Sequence, residues 1–158
     1  MAGPYSNLIR AYHISMKKLE DSLTLQLLRA RESAMTFFRP VLQQAEFTEQ
    51  QWRVLRVLND HEELEAKQLA DLCCILSPSL TRIINRFVEE GMVIRKRSSE
   101  DQRITLLSLT DEAKLLVKDF RPNVDAAYKQ LIDKLGEKKL KELSHLLKDV
   151  IELSPDSK

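Results

Sequence analysis

The chain has 158 residues, of which 43% are hydrophobic and 31% charged, with a formal net charge of +1, three glycines and five prolines. That length buries a core without disulfides or metal, and so few turn-forming residues exclude an extended, turn-rich β architecture, which leaves a mainly α fold. The near-neutral balance excludes a uniformly basic coat, so any nucleic-acid surface must come from local clustering.

Residues 1–16 read as an N-terminal extension, because Met16-Lys17-Lys18-Leu19-Glu20 would itself make a natural beginning. From Lys17 to about Gln44, Leu19, Leu23, Leu27, Leu28, Ala34, Met35, Phe38 and Leu42 recur at steps of three and four, the period of a long amphipathic helix that Pro40 should kink or shorten. Thr48 followed by Gln51 makes a capping box, with Glu49 in the first turn, and opens a second helix through Trp52, Leu55 and Leu58. Leu64 to Cys74 carries Leu69 and Leu72 at helical spacing. Ser77-Pro78 then predicts a new start, with Ser77 as the cap and Pro78 at the first helical position, and Gly91 marks its end.

The period changes next. Met92-Val93-Ile94 and Ile104 to Leu109 are strand-like runs around a polar turn at Ser98 to Gln102, which predicts a two-stranded hairpin. Thr110 caps a further helix through Leu115, Leu116 and Phe120, with Pro122 as a possible kink. Gly136 separates it from a last helix carrying Leu140, Leu143, Leu146, Leu147, Val150 and Ile151.

Two short helices joined by a tight turn and followed at once by a hairpin are the order of a winged helix-turn-helix, whose second helix enters the major groove of duplex DNA. On that helix Leu80, Ile83, Ile84, Phe87 and Val88 use up the apolar face, which turns Ser79, Thr81, Arg82, Asn85 and Arg86 outward beside Ser77. Hydroxyls, an amide and guanidinium forks suit base edges and phosphates. Arg95, Lys96, Arg97 and Arg103 make the hairpin locally basic, interrupted by Glu100 and Asp101, and Asp101 can orient Arg103 or anchor the turn.

Thr48-Glu49-Gln50-Gln51-Trp52, Ser77-Pro78-Ser79-Leu80-Thr81, Glu90-Gly91-Met92-Val93 and Asp101-Gln102-Arg103 running to Leu109-Thr110 resemble the MarR family of transcriptional regulators over roughly Leu23 to Leu153. Ala30-Arg31-Glu32 with Met35, Phe37-Phe38-Arg39-Pro40 and Cys74-Ile75-Leu76 resemble a branch of that family concerned with aromatic-acid catabolism. The resemblance implies a homodimer on a palindromic operator. Its first and last helices intertwine, its recognition helices enter successive major grooves about 34 Å apart, and its wings touch the minor groove. It divides the chain into a dimerisation helix at 17–47, a winged DNA-binding lobe at 48–110 and C-terminal dimerisation helices at 111–158, all in one integrated domain.

Arg31 projects from the apolar stripe of the first helix, among Leu27, Leu28, Met35 and Phe38, where a guanidinium needs a partner. A small aromatic carboxylate held by Arg31 and flanked by Met35, Phe38 and Trp52 would supply one, and Arg53 and Arg56 are further candidates. The competing reading pairs Arg31 with a carboxylate such as Glu32. The expected protein is therefore a repressor released from its operator by an aromatic acid. The alternatives are a response to fatty acids or oxidants, or a helical protein-interaction module without sequence-specific DNA binding.

His13, His61 and His145 lack metal-ligand spacing, and no phosphate loop or nucleophile motif occurs, so neither an enzyme nor a metal or cofactor site is expected. Cys73 and Cys74 are adjacent and poorly placed to bridge each other, and no apolar run is long enough to span a bilayer, which together favour a reducing cytoplasmic setting.

Overall fold

The computed structural model describes residues 22–153. Its elements in chain order are α1 (Leu23–Gln44), α2 (Glu49–Asn59), β1 (Leu64–Glu65), α3 (Ala66–Cys73), α4 (Ser77–Glu89), β2 (Val93–Arg97), β3 (Thr105–Leu109), α5 (Asp111–Leu135) and α6 (Glu137–Ile151). The expected extension at 1–16 and the start of the first helix at Lys17 lie outside the described residues. Two compact units divide the chain at residues 36 and 37, within α1.

Two helix starts follow from side chains that satisfy the orphan amides. Thr48 Oγ1 accepts from the Gln51 amide while Gln51 Oε1 accepts from the Thr48 amide, a reciprocal capping box that opens α2. Thr110 Oγ1 accepts from the Ala113 amide and opens α5. Neither Pro40 nor Pro122 ends its helix: α1 runs on to Gln44 and α5 to Leu135.

Two expectations need correction. Leu64 does not begin a helix; Leu64 and Glu65 pair with Leu107 and Leu106 as a third strand, so the sheet has the order β1-β3-β2 and the expected hairpin forms its other two strands. Burial of Leu64 against the sheet decides this, since two residues carry no period of their own. Ser77 is not the cap of α4 either. Leu76 holds that position in extended conformation, Ser77 is already helical, and Pro78 follows within the first turn.

The core gathers Val54, Leu55 and Leu58 from α2, Leu69 and Cys73 from α3, Leu80, Ile84 and Phe87 from α4, Val93, Leu107 and Leu109 from the sheet, and Ala113 and Val117 from α5. Phe87 is fully buried, and truncating such a side chain to alanine costs about 3–5 kcal/mol. This core fixes α4 against the sheet, so the outward face of α4 and the hairpin are presented by one rigid body. Val88 falls outside the core and is 39% exposed, contrary to its assignment to the apolar face of that helix. It comes one position after Phe87, about 100° around the helix from it.

Candidate nucleic-acid interface and effector site

Along β2 the pleat alternates, so Val93, Arg95 and Arg97 share one face of the sheet, opposite Leu109, Leu107 and Thr105 of β3. Val93 is buried while the two arginines are exposed. Between α4 and this face lies a cleft of about 370 Å³, floored by Leu80, Ile84 and Leu107 and bordered by Thr81, Arg95, Lys96 and Arg97.

On the outer side of α4, Thr81, Arg82, Asn85 and Arg86 are all exposed, as is Ser77 at its first turn. Ser79 is only half-buried rather than fully outward. Thr81 Oγ1 donates to the Ser77 carbonyl at 2.9 Å, which leaves its hydroxyl oxygen as an acceptor for an outside group. Arg86 Nε donates to Glu90 Oε1 at 2.7 Å. Arg95 Nη2 donates to Asn85 Oδ1 at 2.6 Å, which joins the hairpin to the helix.

The tip of the hairpin is organised by Ser98 and Asp101. Ser98 Oγ accepts from the amides of Glu100 and Asp101, and its carbonyl accepts from Gln102 Nε2. Asp101 Oδ1 accepts from the Arg103 amide at 2.9 Å, so of the two roles expected for this carboxylate it anchors the turn. Arg97 Nη1 points to the Arg103 carbonyl and to Thr105 Oγ1, and Lys96 pairs with Glu63. Ser98, buried at the base of the tip, was missed as a positioning residue. A serine at the head of a polar turn is the one signal that could have found it.

The residues expected to hold an effector fall into two groups. Arg31 and Met35 lie in the unit ending at residue 36, where Arg31 is exposed and its Nη1 pairs with Glu32 Oε1 at 2.7 Å. The argument from a buried unpaired guanidinium therefore does not hold for Arg31 within one chain. Phe38, Trp52, Arg53 and Arg56 belong to the other unit. Arg53 Nη1 donates to the Cys73 carbonyl at 2.7 Å and so serves the end of α3, while Arg56 is exposed.

Around Trp52 the structure assembles aromatic residues that the sequence scatters. Trp52 meets Phe120 edge-on at 4.9 Å between ring centroids, and Phe47 lies 6.1 Å from Trp52 and 6.2 Å from Phe120. Phe38 packs on Tyr128 at 5.8 Å. Trp52 is 7% exposed, and its buried indole Nε1 donates to no acceptor among the described residues. An unmet buried donor is costly, so an acceptor supplied from outside would be strongly held there. Phe47 and Phe120 were missed because they come from a loop and a distant helix, and no local period links them to Trp52.

Burial pushes the Cys73 thiol up to about 11, against the pull of the Arg53 guanidinium and with a small push from Cys74. Cys74 is exposed. Among the described residues no cluster of side chains could hold a metal ion, and no helix is long and apolar enough to cross a membrane.

Residues 47–105, from the residue before the Thr48 cap to the start of β3, match the model of the MarR family. The chain is 40% identical over 135 residues to the homoprotocatechuate degradative operon repressor of Escherichia coli, an alignment that covers 85% of this chain and 91% of that protein. The crystal structure of the transcriptional regulator PA4135 superposes with a TM-score of 0.83 at 41% identity, covering 85% of this chain and 98% of that one. NadR in complex with 4-hydroxyphenylacetate superposes with a TM-score of 0.76 at 39% identity, covering 87% of this chain and 97% of that one.

Proposed function

Because the chain belongs to the MarR family of transcriptional regulators, which are dimeric DNA-binding proteins and not enzymes, we propose that it is the cytoplasmic repressor of an aromatic-acid catabolic operon, released from its operator by a small aromatic carboxylate. The observation that carries the effector is the buried Trp52 Nε1, which has no acceptor among the described residues and lies beside Phe47 and Phe120. A carboxylate or phenol oxygen would accept that hydrogen bond while its ring packs edge-on against the aromatic side chains. Two relatives agree with this chemistry: one represses a homoprotocatechuate degradative operon, and another was crystallised with 4-hydroxyphenylacetate. Within the same unit as Trp52, Phe38 and Arg56 are further residues we assign to the ligand, and Arg53 acts through the Cys73 carbonyl it holds.

On the DNA side, Ser77, Ser79, Thr81, Arg82, Asn85 and Arg86 read or grip the major groove, and Arg97 and Arg103 reach the minor groove on a tip that Asp101 shapes. Release is a population shift. The ligand favours a spacing of the two DNA-binding lobes in the dimer that fails to meet both half-sites, by no more than its differential affinity for the two forms.

The test is binding to a duplex library at fixed salt, with and without 4-hydroxyphenylacetate, a hydroxycinnamate and a medium-chain fatty acid. A palindrome is selected, and an aromatic acid weakens its binding. Trp52→Phe keeps the ring packing and the operator affinity but lowers the effector response about tenfold, the worth of one buried hydrogen bond. Release by the fatty acid alone would replace the effector class. A palindrome that none of the three compounds affects would remove the aromatic-acid assignment.

A further inference from the structure

Arg95 was not among the residues expected to touch DNA, yet it makes the hydrogen bond that joins the hairpin to the outward face of α4. Its Nη2 lies 2.6 Å from Asn85 Oδ1, and both side chains are exposed. A guanidinium carries donors only, so the atom it faces must be the carbonyl oxygen of the amide whichever way the amide is drawn. The rotation of the Asn85 carboxamide is therefore set, with Nδ2 and its two donors left for an outside partner. The bond is charge-assisted and in place before DNA arrives, so Asn85 does not lose its side-chain freedom on binding.

We propose that Arg95 is a positioning residue for base reading: by holding Asn85 Oδ1 toward the hairpin it turns the Nδ2 donors outward, so that each half-site favours an acceptor at one base in the major groove. Guanine O6 and N7, adenine N7 and thymine O4 supply that acceptor. Cytosine presents its N4 amino group and is rejected. The hairpin thus sets the specificity of the recognition helix as well as gripping DNA itself. The inference rests on the assignment of α4 to the major groove made above.

Sequence selection from a duplex library by the full chain tests it, with Arg95→Ala, Asn85→Ala, their double variant and Asn85→Asp compared with the wild type. The wild type rejects cytosine at one position of each half-site. Arg95→Ala and Asn85→Ala each relax that rejection about tenfold with the other positions unchanged, and the double variant relaxes it no further than either single one. Asn85→Asp keeps the partner of Arg95 but turns the donor into an acceptor, so it comes to favour cytosine. If Arg95→Ala instead weakens every sequence equally and flattens the salt dependence by roughly 0.9 in the log–log slope per protomer, Arg95 grips a phosphate and the inference falls. A wild-type chain that selects no sequence would overturn the regulator reading and the inference with it, whereas a selective wild type with an unaltered Arg95→Ala profile overturns the inference alone.

Discussion

Arg82 and Arg86 stand one turn apart on the exposed face of α4, and in the proposed reading they meet DNA from different starting points. Arg86 is already held by Glu90 at 2.7 Å, and that carboxylate must be displaced or left behind when the guanidinium turns to a base or phosphate. An exposed pair of this kind is worth at most about 1 kcal/mol, so removing it barely changes the fold. Glu90→Gln is accordingly expected to leave the melting temperature unchanged and to tighten operator binding several-fold at low salt, measured by fluorescence anisotropy, with the gain fading as salt rises. Arg82→Ala should cost about 1–3 kcal/mol of binding, with relaxed selectivity at one base pair if the contact is to guanine. The buried thiol offers a second residue-level test. The folded Cys73 is raised from its ordinary value of 9.0 to about 11, so its contribution to stability is complete below pH 9 and is lost as pH rises through 11. Urea unfolding between pH 8 and 11 should show a steeper loss for the wild type than for Cys73→Ala. Over the same range Cys74 should react with a maleimide well before Cys73 does. Of these features the arginines were legible in the sequence, because their spacing follows from the apolar face of α4. The bonds from Glu90 to Arg86 and from Arg95 to Asn85 were not, since they depend on rotamers and on how β2 lies against the helix.

Three helix ends carry the same geometry with different residues. At Glu46, Cys74 and Gly91 the backbone turns to φ values of 58°, 49° and 70°, and the amides of Phe47, Ile75 and Met92 reach back to the carbonyls of Leu42, Ala70 and Phe87. This is the Schellman closure, in which glycine is the unstrained choice. Only Gly91 announced itself in the sequence; Glu46 and Cys74 adopt the left-handed conformation at a cost of about 1–2 kcal/mol each, which tertiary packing on either side covers. Replacing Cys74 with Gly removes that cost but adds back some unfolded-chain entropy, so a net gain of about 0.5–1 kcal/mol is expected. It should appear as a melting temperature higher by about 1–4 °C, and a lower one would show that the Cys74 side chain makes contacts worth more than the strain. Thr110 gives the opposite sign. Its hydroxyl donates to the Gly91 carbonyl at 2.9 Å and accepts from the Ala113 amide at 3.2 Å, so it ties the end of α4 to the start of α5. Thr110→Ala is expected to cost about 1–2 kcal/mol, and Thr110→Ser to recover most of it. Elements with a cap or a clean period were readable in advance for this reason. β1 was not, because its two residues become a strand only where β3 supplies the partner.

The terminal helices pose the problem that one chain cannot solve. α6 buries no residue in its own chain and leaves Leu143, Leu146 and Ile151 exposed at 42%, 61% and 79%, while α1 buries only Leu42 and leaves Leu23 and Leu28 more than half exposed. Apolar surface of this extent on a regular amphipathic helix marks an interface, and the family's dimeric state supplies the occupant: a second copy of the chain. The periodicity of Leu140, Leu143, Leu146, Leu147, Val150 and Ile151 made the stripe visible in the sequence, and the single-chain fold shows that it does not belong to the internal core. Leu143→Glu combined with Leu146→Glu should therefore leave the winged lobe folded, with unchanged near-ultraviolet circular dichroism from Trp52, while sedimentation shifts the protein from dimer to monomer. The consequence for DNA follows from linkage of the two half-sites. A monomer engages one half-site and loses the effective concentration that its partner provides, so operator affinity should fall by about 10²–10⁴ while affinity for an isolated half-site stays the same. If the double variant remains dimeric, the interface lies on other surfaces and the apolar face of α6 has another occupant. If it becomes monomeric yet keeps full operator affinity, reading of the palindrome does not depend on a preformed dimer.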